Sequence, residues 1–473
     1  MKLQIRAYWR TFLWRFGLAA LAAVTVFGAA GCSDDDLDAP VTGSQPQPAQ
    51  ATSNGDGSQP ADVDGVATSA ETERSENLDD AATSAETDRS ANPDEQTASS
   101  DRDAEVAAPA EPVVPAFLAE PIASTMLEDV PSALREPRHP DHPEPMIDLG
   151  EIRSVVPPDS IPSLEDPHFE PATEVDWLPR VEPVLALEIN GDARAYPLRI
   201  MTWHELVNGT VGGVPVTVSY CPLCNSAVAY DRRVNKRVLD FGTSGALLNS
   251  SLVMYDRQTE SLWSHYTGEA VAGHLTSAQL NLIPVQTVSF ERFMETYPAG
   301  YVLGRDTGHS RRYGQNPYDF YDTNNRPFLF NGALDDRLEP ITRVVALRDD
   351  DTGVVIPAEV LAEQRVVPFS FAGLELVALF EPGTASALDN PSIADGRDVG
   401  ATGVFVRSVG GRMLDLMPAD EGGFVDTSSG AVYDILGQPV GSAGAEPLEP
   451  VEHLDTFWFA AAAFYPDAEI IGR

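Results

Sequence analysis

The amino-acid sequence predicts a mainly β (α+β) fold in which two related β-rich units pack together with few short helices. Three observations carry this: short apolar runs punctuated by turn residues, an Asn-Gly hairpin signal, and a faint echo of one half of the folded region in the other.

Beyond Trp177, Val184-Leu185-Ala186-Leu187-Glu188-Ile189 and Ala193-Arg194-Ala195-Tyr196 flank Asn190-Gly191-Asp192. Asn-Gly adopts the left-handed turn that matches strand twist, so this stretch is a hairpin. Val214 to Tyr220, opened by Gly212-Gly213, is a further strand. Ser226 to Tyr230, Val238 to Phe241 and Ser251 to Tyr255 continue the series. Aromatic residues at helical spacing predict a helix over Phe290 to Tyr297, stopped by Pro298. Strands do not alternate regularly with longer helices, which excludes a doubly wound sheet.

The later half repeats the earlier one. Ala195-Tyr196-Pro197 returns as Val355-Ile356-Pro357, and Pro284-Val285-Gln286 as Pro450-Val451-Glu452. Asp256, Thr259 and Trp263 are echoed by Asp426, Ser429 and Tyr433. The expected units are 176–337 and a degenerate 338–473. In this alignment His204-Glu205 falls opposite Gln364-Arg365, and the Cys221 to Cys224 turn falls near Leu379-Phe380-Glu381-Pro382. His204 and both cysteines have no counterpart in the second copy, so chemistry is expected in the first.

The N-terminus reads as an export signal over residues 1–31. Lys2, Arg6, Arg10 and Arg15 precede an apolar run from Phe16 to Ala30 that is too short for a membrane span. Ala29-Ala30-Gly31-Cys32 resembles a bacterial lipobox, which makes Cys32 the expected lipidation site and the lipid anchor the expected membrane contact. Residues 32–112 form an acidic, Ser/Thr/Pro-rich segment with a near-repeat at Ala67–Ser75 and Ala82–Ser90. It lacks the apolar surface needed to offset ordering entropy, so a disordered tether is expected. Residues 113–175 are a proline-rich lead-in, whose His139, His142 and His168 read as surface-loop residues. A lipid-anchored protein of the cell envelope, periplasmic or outer-surface, is the resulting expectation.

Net charge of −41 repels nucleic acid and anionic lipid heads, so neither is an expected partner. The sequence names no protein partner. A phosphate-binding Gly-rich loop, a His-Glu-x-x-His helix and a nucleophile elbow are all missing.

Of three cysteines, a lipidated Cys32 leaves Cys221 and Cys224 in Tyr220-Cys221-Pro222-Leu223-Cys224-Asn225. Several spaced motifs accompany them: Trp203-His204-Glu205-Leu206-Val207-Asn208, Phe241-Gly242 with Ser244-Gly245, Tyr255-Asp256-Arg257 with Ser261-Leu262-Trp263, Asn316-Pro317-Tyr318 and Phe457-Trp458-Phe459. Together they resemble the bacterial and archaeal family catalogued as domain of unknown function 3179, over nearly all of the chain after about residue 140. The resemblance implies no settled activity. At His265 the chain departs from it, since a glutamine is expected there.

Three functions fit these residues. Two thiolates and the His204 imidazole suit zinc or copper(I), with Glu205 or Asp256 orienting the ring from behind. Alternatively, Cys221 and Cys224 form a thiol–disulfide redox pair, with Arg232 and His204 lowering a thiol pKa. Or the cysteines and His204 are core residues of a non-catalytic binding or scaffolding module. Whether the chain is an enzyme is open at this stage.

Overall fold

The computed structural model describes residues 130–349, 352–420, 422–441 and 444–472. The expected signal, Cys32 and acidic tether lie outside the described residues. As expected, the fold is mainly β, with strands throughout and four α-helices among the described residues. Each helix is seven residues long: α1 Leu198–His204, α2 Phe290–Thr296, α3 Ala358–Gln364 and α4 Trp458–Phe464. No helix among the described residues is long and apolar enough to cross a membrane.

The Asn190-Gly191 turn joins Pro183–Ile189 to Asp192–Pro197, with Ile189 opposite Asp192 and both turn residues at positive φ, 52° and 84°. Helix α2 starts at Phe290 because the Ser289 hydroxyl accepts from the Arg292 amide, an N-cap bond. Helix α1 was not evident from periodicity: six of its seven residues are buried, so it has no polar face to create a helical pattern. The run expected as one strand over Val238 to Phe241 is broken. Val238 ends one strand and Phe241 opens another, because the intervening Asp240 pairs with Arg232.

Among the described residues, three five-stranded sheets and one two-stranded ribbon build the earlier half. One has the order Gln286–Ser289, Pro183–Ile189, Asp192–Pro197, Tyr301–Leu303, Phe169–Pro171. The second centres on Leu206–Val211, Val214–Cys221 and Ser226–Asp231, and the third on Phe241–Leu248 and Ser251–Asp256. The later half has a sheet ordered Leu454–Phe457, Arg343–Asp349, Thr352–Pro357, Glu469–Ile470. This is the same succession as the first four strands above, and the last pairing is parallel in both. Helices α1 and α3 end alike. Glu205 (φ 59°, ψ −29°) and Arg365 (φ 63°, ψ −28°) are left-handed caps whose carbonyls accept from Tyr220 and Phe380 amides, each at 2.9 Å. Helices α2 and α4 begin six residues after Pro284 and eight after Pro450, so the Pro-Val echo is not a constant register.

The apolar cluster that positions the candidate site joins both halves. Cys221, Cys224, Trp263, Tyr266, Phe457 and Phe459 all belong to it and all are buried.

A candidate thiol site

Cys221 ends the strand Val214–Cys221 and pairs with Ser226 across a turn of Pro222–Asn225. The turn is closed by the Asn225 amide on the Pro222 carbonyl at 3.3 Å, with Asn225 at φ 51°. Pro222 presets the backbone for such a turn and Asn tolerates the left-handed region. Neighbouring elements fix it. The Tyr321 hydroxyl donates to the Leu223 carbonyl at 2.7 Å, and Thr456 Oγ1 and the Phe457 amide donate to the Cys224 carbonyl at 2.9 and 3.0 Å.

Both cysteines are free thiols, 2% and 0% exposed. Cys224 Sγ lies 3.0 Å from Ser226 Oγ and 3.5 Å from Ser251 Oγ. Burial pushes this thiol up, but hydrogen bonds from Cys221 and the two serines outweigh it, and the net shift is downward. Burial and its bond to Cys224 push Cys221 well up. Proximity thus separates two chemically identical groups, giving one thiolate-favouring sulfur and one proton-holding sulfur.

A hydrogen-bonded line leads on from Cys224. Ser226 Oγ is 2.8 Å from His265 Nε2, and His265 Nδ1 is 2.9 Å from Ser219 Oγ, whose hydroxyl donates to the Glu205 carbonyl at 3.0 Å. His265 is wholly buried, and burial pushes its pKa down to about 3. It is therefore neutral at ordinary pH and carries one ring proton. With Ser219 donating to Glu205, Nδ1–H donates to Ser219 and Nε2 accepts from Ser226. Ser226 Oγ is then left to accept the Cys224 S–H. The other ring tautomer, with the Ser219 hydroxyl turned from the Glu205 carbonyl to Nδ1 and Nε2–H donating to Ser226, instead gives a Ser226 hydroxyl donating to a Cys224 thiolate.

Glu205 is also at the site. Burial first, and then the charge of Cys221, push its carboxyl up to about 8, while Tyr318 Oη at 3.5 Å pulls it back. A non-glycine residue at positive φ is strained, and here the strain places a carboxyl in the core.

The other expected site residues sit elsewhere in the hydrogen-bond network. His204 Nδ1 donates to the Pro162 carbonyl at 2.7 Å, and Nε2 is 2.6 Å from Tyr313 Oη. Both ring nitrogens are engaged, so the expected Cys221, Cys224 and His204 zinc or copper centre is not assembled. Among the described residues, no three His, Cys, Asp or Glu side chains gather as ligands. Asp256 holds a turn: it accepts from the Thr259 amide at 2.7 Å, the Thr259 hydroxyl at 2.8 Å and Trp263 Nε1 at 2.9 Å. Asp426 does the same with the Ser429 amide and hydroxyl. Arg232 is spent on Asp240 and on the Leu239 and Gly209 carbonyls, at 3.0 and 3.1 Å for the latter two. His265, Ser226, Ser219 and Ser251 were not expected as site residues. Ser219 lies two residues before Cys221 on the same strand, and so on the same face, which was the available signal.

Beside Asn225 there is a cavity of about 40 Å³ lined also by Tyr220, Arg343, Asp455 and Thr456. That is room for water and far below the several hundred Å³ of a cofactor pocket. No curated protein and no solved structure matches the chain. The family model described as protein of unknown function (DUF3179) matches residues 158–468, most of the chain, and this protein belongs to that family.

Proposed function

We propose that Cys221 and Cys224 form a gated redox dithiol that exchanges electrons with a disulfide-bearing partner. The observation that carries this reading is the Ser226 hydroxyl 3.0 Å from Cys224 Sγ, with Ser251 Oγ at 3.5 Å; these contacts hold the thiol below its ordinary pKa in a core where burial alone would raise it. In the reaction, the Cys224 thiolate attacks one sulfur of the partner disulfide and the other sulfur departs as a thiolate that takes a proton. Cys221 then loses its proton to solvent and attacks Cys224 Sγ. The partner's second sulfur is released and protonated, and a Cys221–Cys224 disulfide remains. Two electrons and two protons pass to the partner disulfide.

Access requires movement. Tyr321 binds the Leu223 carbonyl and the Ser250 hydroxyl binds the Phe328 carbonyl, so the segment around residues 318–330 straps the turn. The export signal and Cys32 support placing this chemistry in the cell envelope, where disulfides persist. A soft metal on the two sulfurs would need His204 to leave Pro162 and Tyr313, so metal analysis belongs in the same experiment. The test is a titration of purified protein with mixtures of reduced and oxidised glutathione, trapping thiols with alkylating reagent at each point. A reversible two-electron transition, abolished in Cys221→Ser, supports the reading. Thiols that stay reduced in fully oxidising buffer, with or without bound metal, overturn it.

A further inference from the structure

The loop from Arg305 to Tyr313 frames an open cleft of about 340 Å³ lined by Arg305, His309, Ser310, Arg311, Arg312 and Tyr313. Its composition runs against the chain. Acidic residues outnumber Lys and Arg by 72 to 31, yet these nine residues hold three arginines and a single carboxylate, Asp306. Among the described residues, none of the three guanidiniums is ion-paired with Asp306 or any other carboxylate, although most buried or half-buried arginines nearby are paired.

The frame is held in place. Trp203 Nε1 donates to the Gln315 carbonyl at 3.3 Å and the Ile393 amide to the Gly314 carbonyl at 3.2 Å. Tyr313 Oη is fixed between His204 Nε2 and Thr307 Oγ1, each at 2.6 Å. Arg305 stacks over Trp177 at 4.8 Å, which orients its planar fork and leaves its edge donors unengaged. The positive field is felt by His204, where, after burial, His309 and Arg311 disfavour protonation.

We propose that this cleft binds a small soluble oxyanion, phosphate or sulfate, or a ligand carrying one. Guanidiniums grip such groups bidentately, and Ser310 and His309 add donors that a halide cannot use geometrically. This site does not depend on the thiol reading. It is framed by residues 305–313, which precede the strap around 318–330 in the chain, and it shares none of its lining residues with the thiol site, so its failure and the failure of the dithiol are read by separate experiments.

The test is calorimetric titration of the full chain with inorganic phosphate and with sulfate, at constant ionic strength set by sodium chloride. The variants are Arg311→Ser/Arg312→Ser, Arg305→Ser and, as a distant control, Arg407→Ser. Saturable one-site binding that weakens at least about tenfold in the double variant, and is unchanged in the control, is the expected result. Heats that never saturate, or equal affinity in the double variant, overturn the site. Co-sedimentation with phosphatidylglycerol vesicles separates the sources: vesicle binding lost in the double variant without free phosphate binding assigns the loop to a lipid headgroup and overturns the soluble ligand.

Discussion

Ser226 Oγ stands between Cys224 Sγ and His265 Nε2, 3.0 Å from the first and 2.8 Å from the second. One hydroxyl proton must serve both neighbours, so the protonation of the sulfur and the tautomer of the ring are linked. His265→Gln keeps a donor and an acceptor at this position but fixes their places. Its expected effect is a raised pH midpoint for Cys224 alkylation with little change in melting temperature. Ser226→Ala is expected to raise it too. A midpoint unmoved in both variants shows that the line is structural only.

The two cysteines are expected to react unequally. Cys224 is the nucleophile and Cys221 the resolving thiol. Cys221→Ser should therefore trap a mixed disulfide with oxidised glutathione at Cys224, whereas Cys224→Ser should accumulate far less. Intact-mass analysis after brief exposure reads both. Equal adduct yields contradict the assignment.

Glu205 gives a pH dependence with a definite sign. Its folded pKa of about 8 lies above the unfolded reference of 4.5, so the folded state holds a proton that the unfolded state releases. Stability from this group is present below pH 4.5 and is lost as pH rises toward 8, with a slope approaching about 1.4 kcal/mol per unit. Glu205→Gln should gain stability relative to the wild type across that window. Denaturant midpoints for both proteins between pH 5 and pH 8 measure the difference. His265 acts oppositely: its pKa is depressed to about 3, so its contribution is lost as pH falls from 6.5 toward 3.

Because both sulfurs are buried under the strap, opening should limit the rate of thiol exchange. Tyr321→Phe deletes the bond to the Leu223 carbonyl, a change worth about 1 kcal/mol. Alkylation of the native protein should accelerate several-fold, with the denatured rate unchanged. No acceleration would place the access route elsewhere.

Much of the fold was legible because local chemistry wrote it. Asn190-Gly191 specified a hairpin, and alternating runs located Val214–Cys221 and Ser251–Asp256. Buried α1 left no trace, since a helix surrounded by core has no polar stripe. The cysteine pair was legible from composition. Its partners were not: His204 is near the cysteines in sequence but bonds to Pro162 and Tyr313, while His265 reaches Cys224 through long-range strand packing. Sequence proximity favoured the wrong imidazole. Asp256 looked like a ring-orienting acid and is a turn acceptor, a role its counterpart Asp426 also fills.

A redox role requires that Cys221 and Cys224 join within the folded chain. The most direct measurement is peptide mapping of native protein equilibrated with oxidised glutathione and quenched by acid. A Cys221–Cys224 disulfide that forms and is reversed by reduced glutathione is the predicted outcome. Two free thiols persisting at equilibrium, even in Tyr321→Phe, would contradict it.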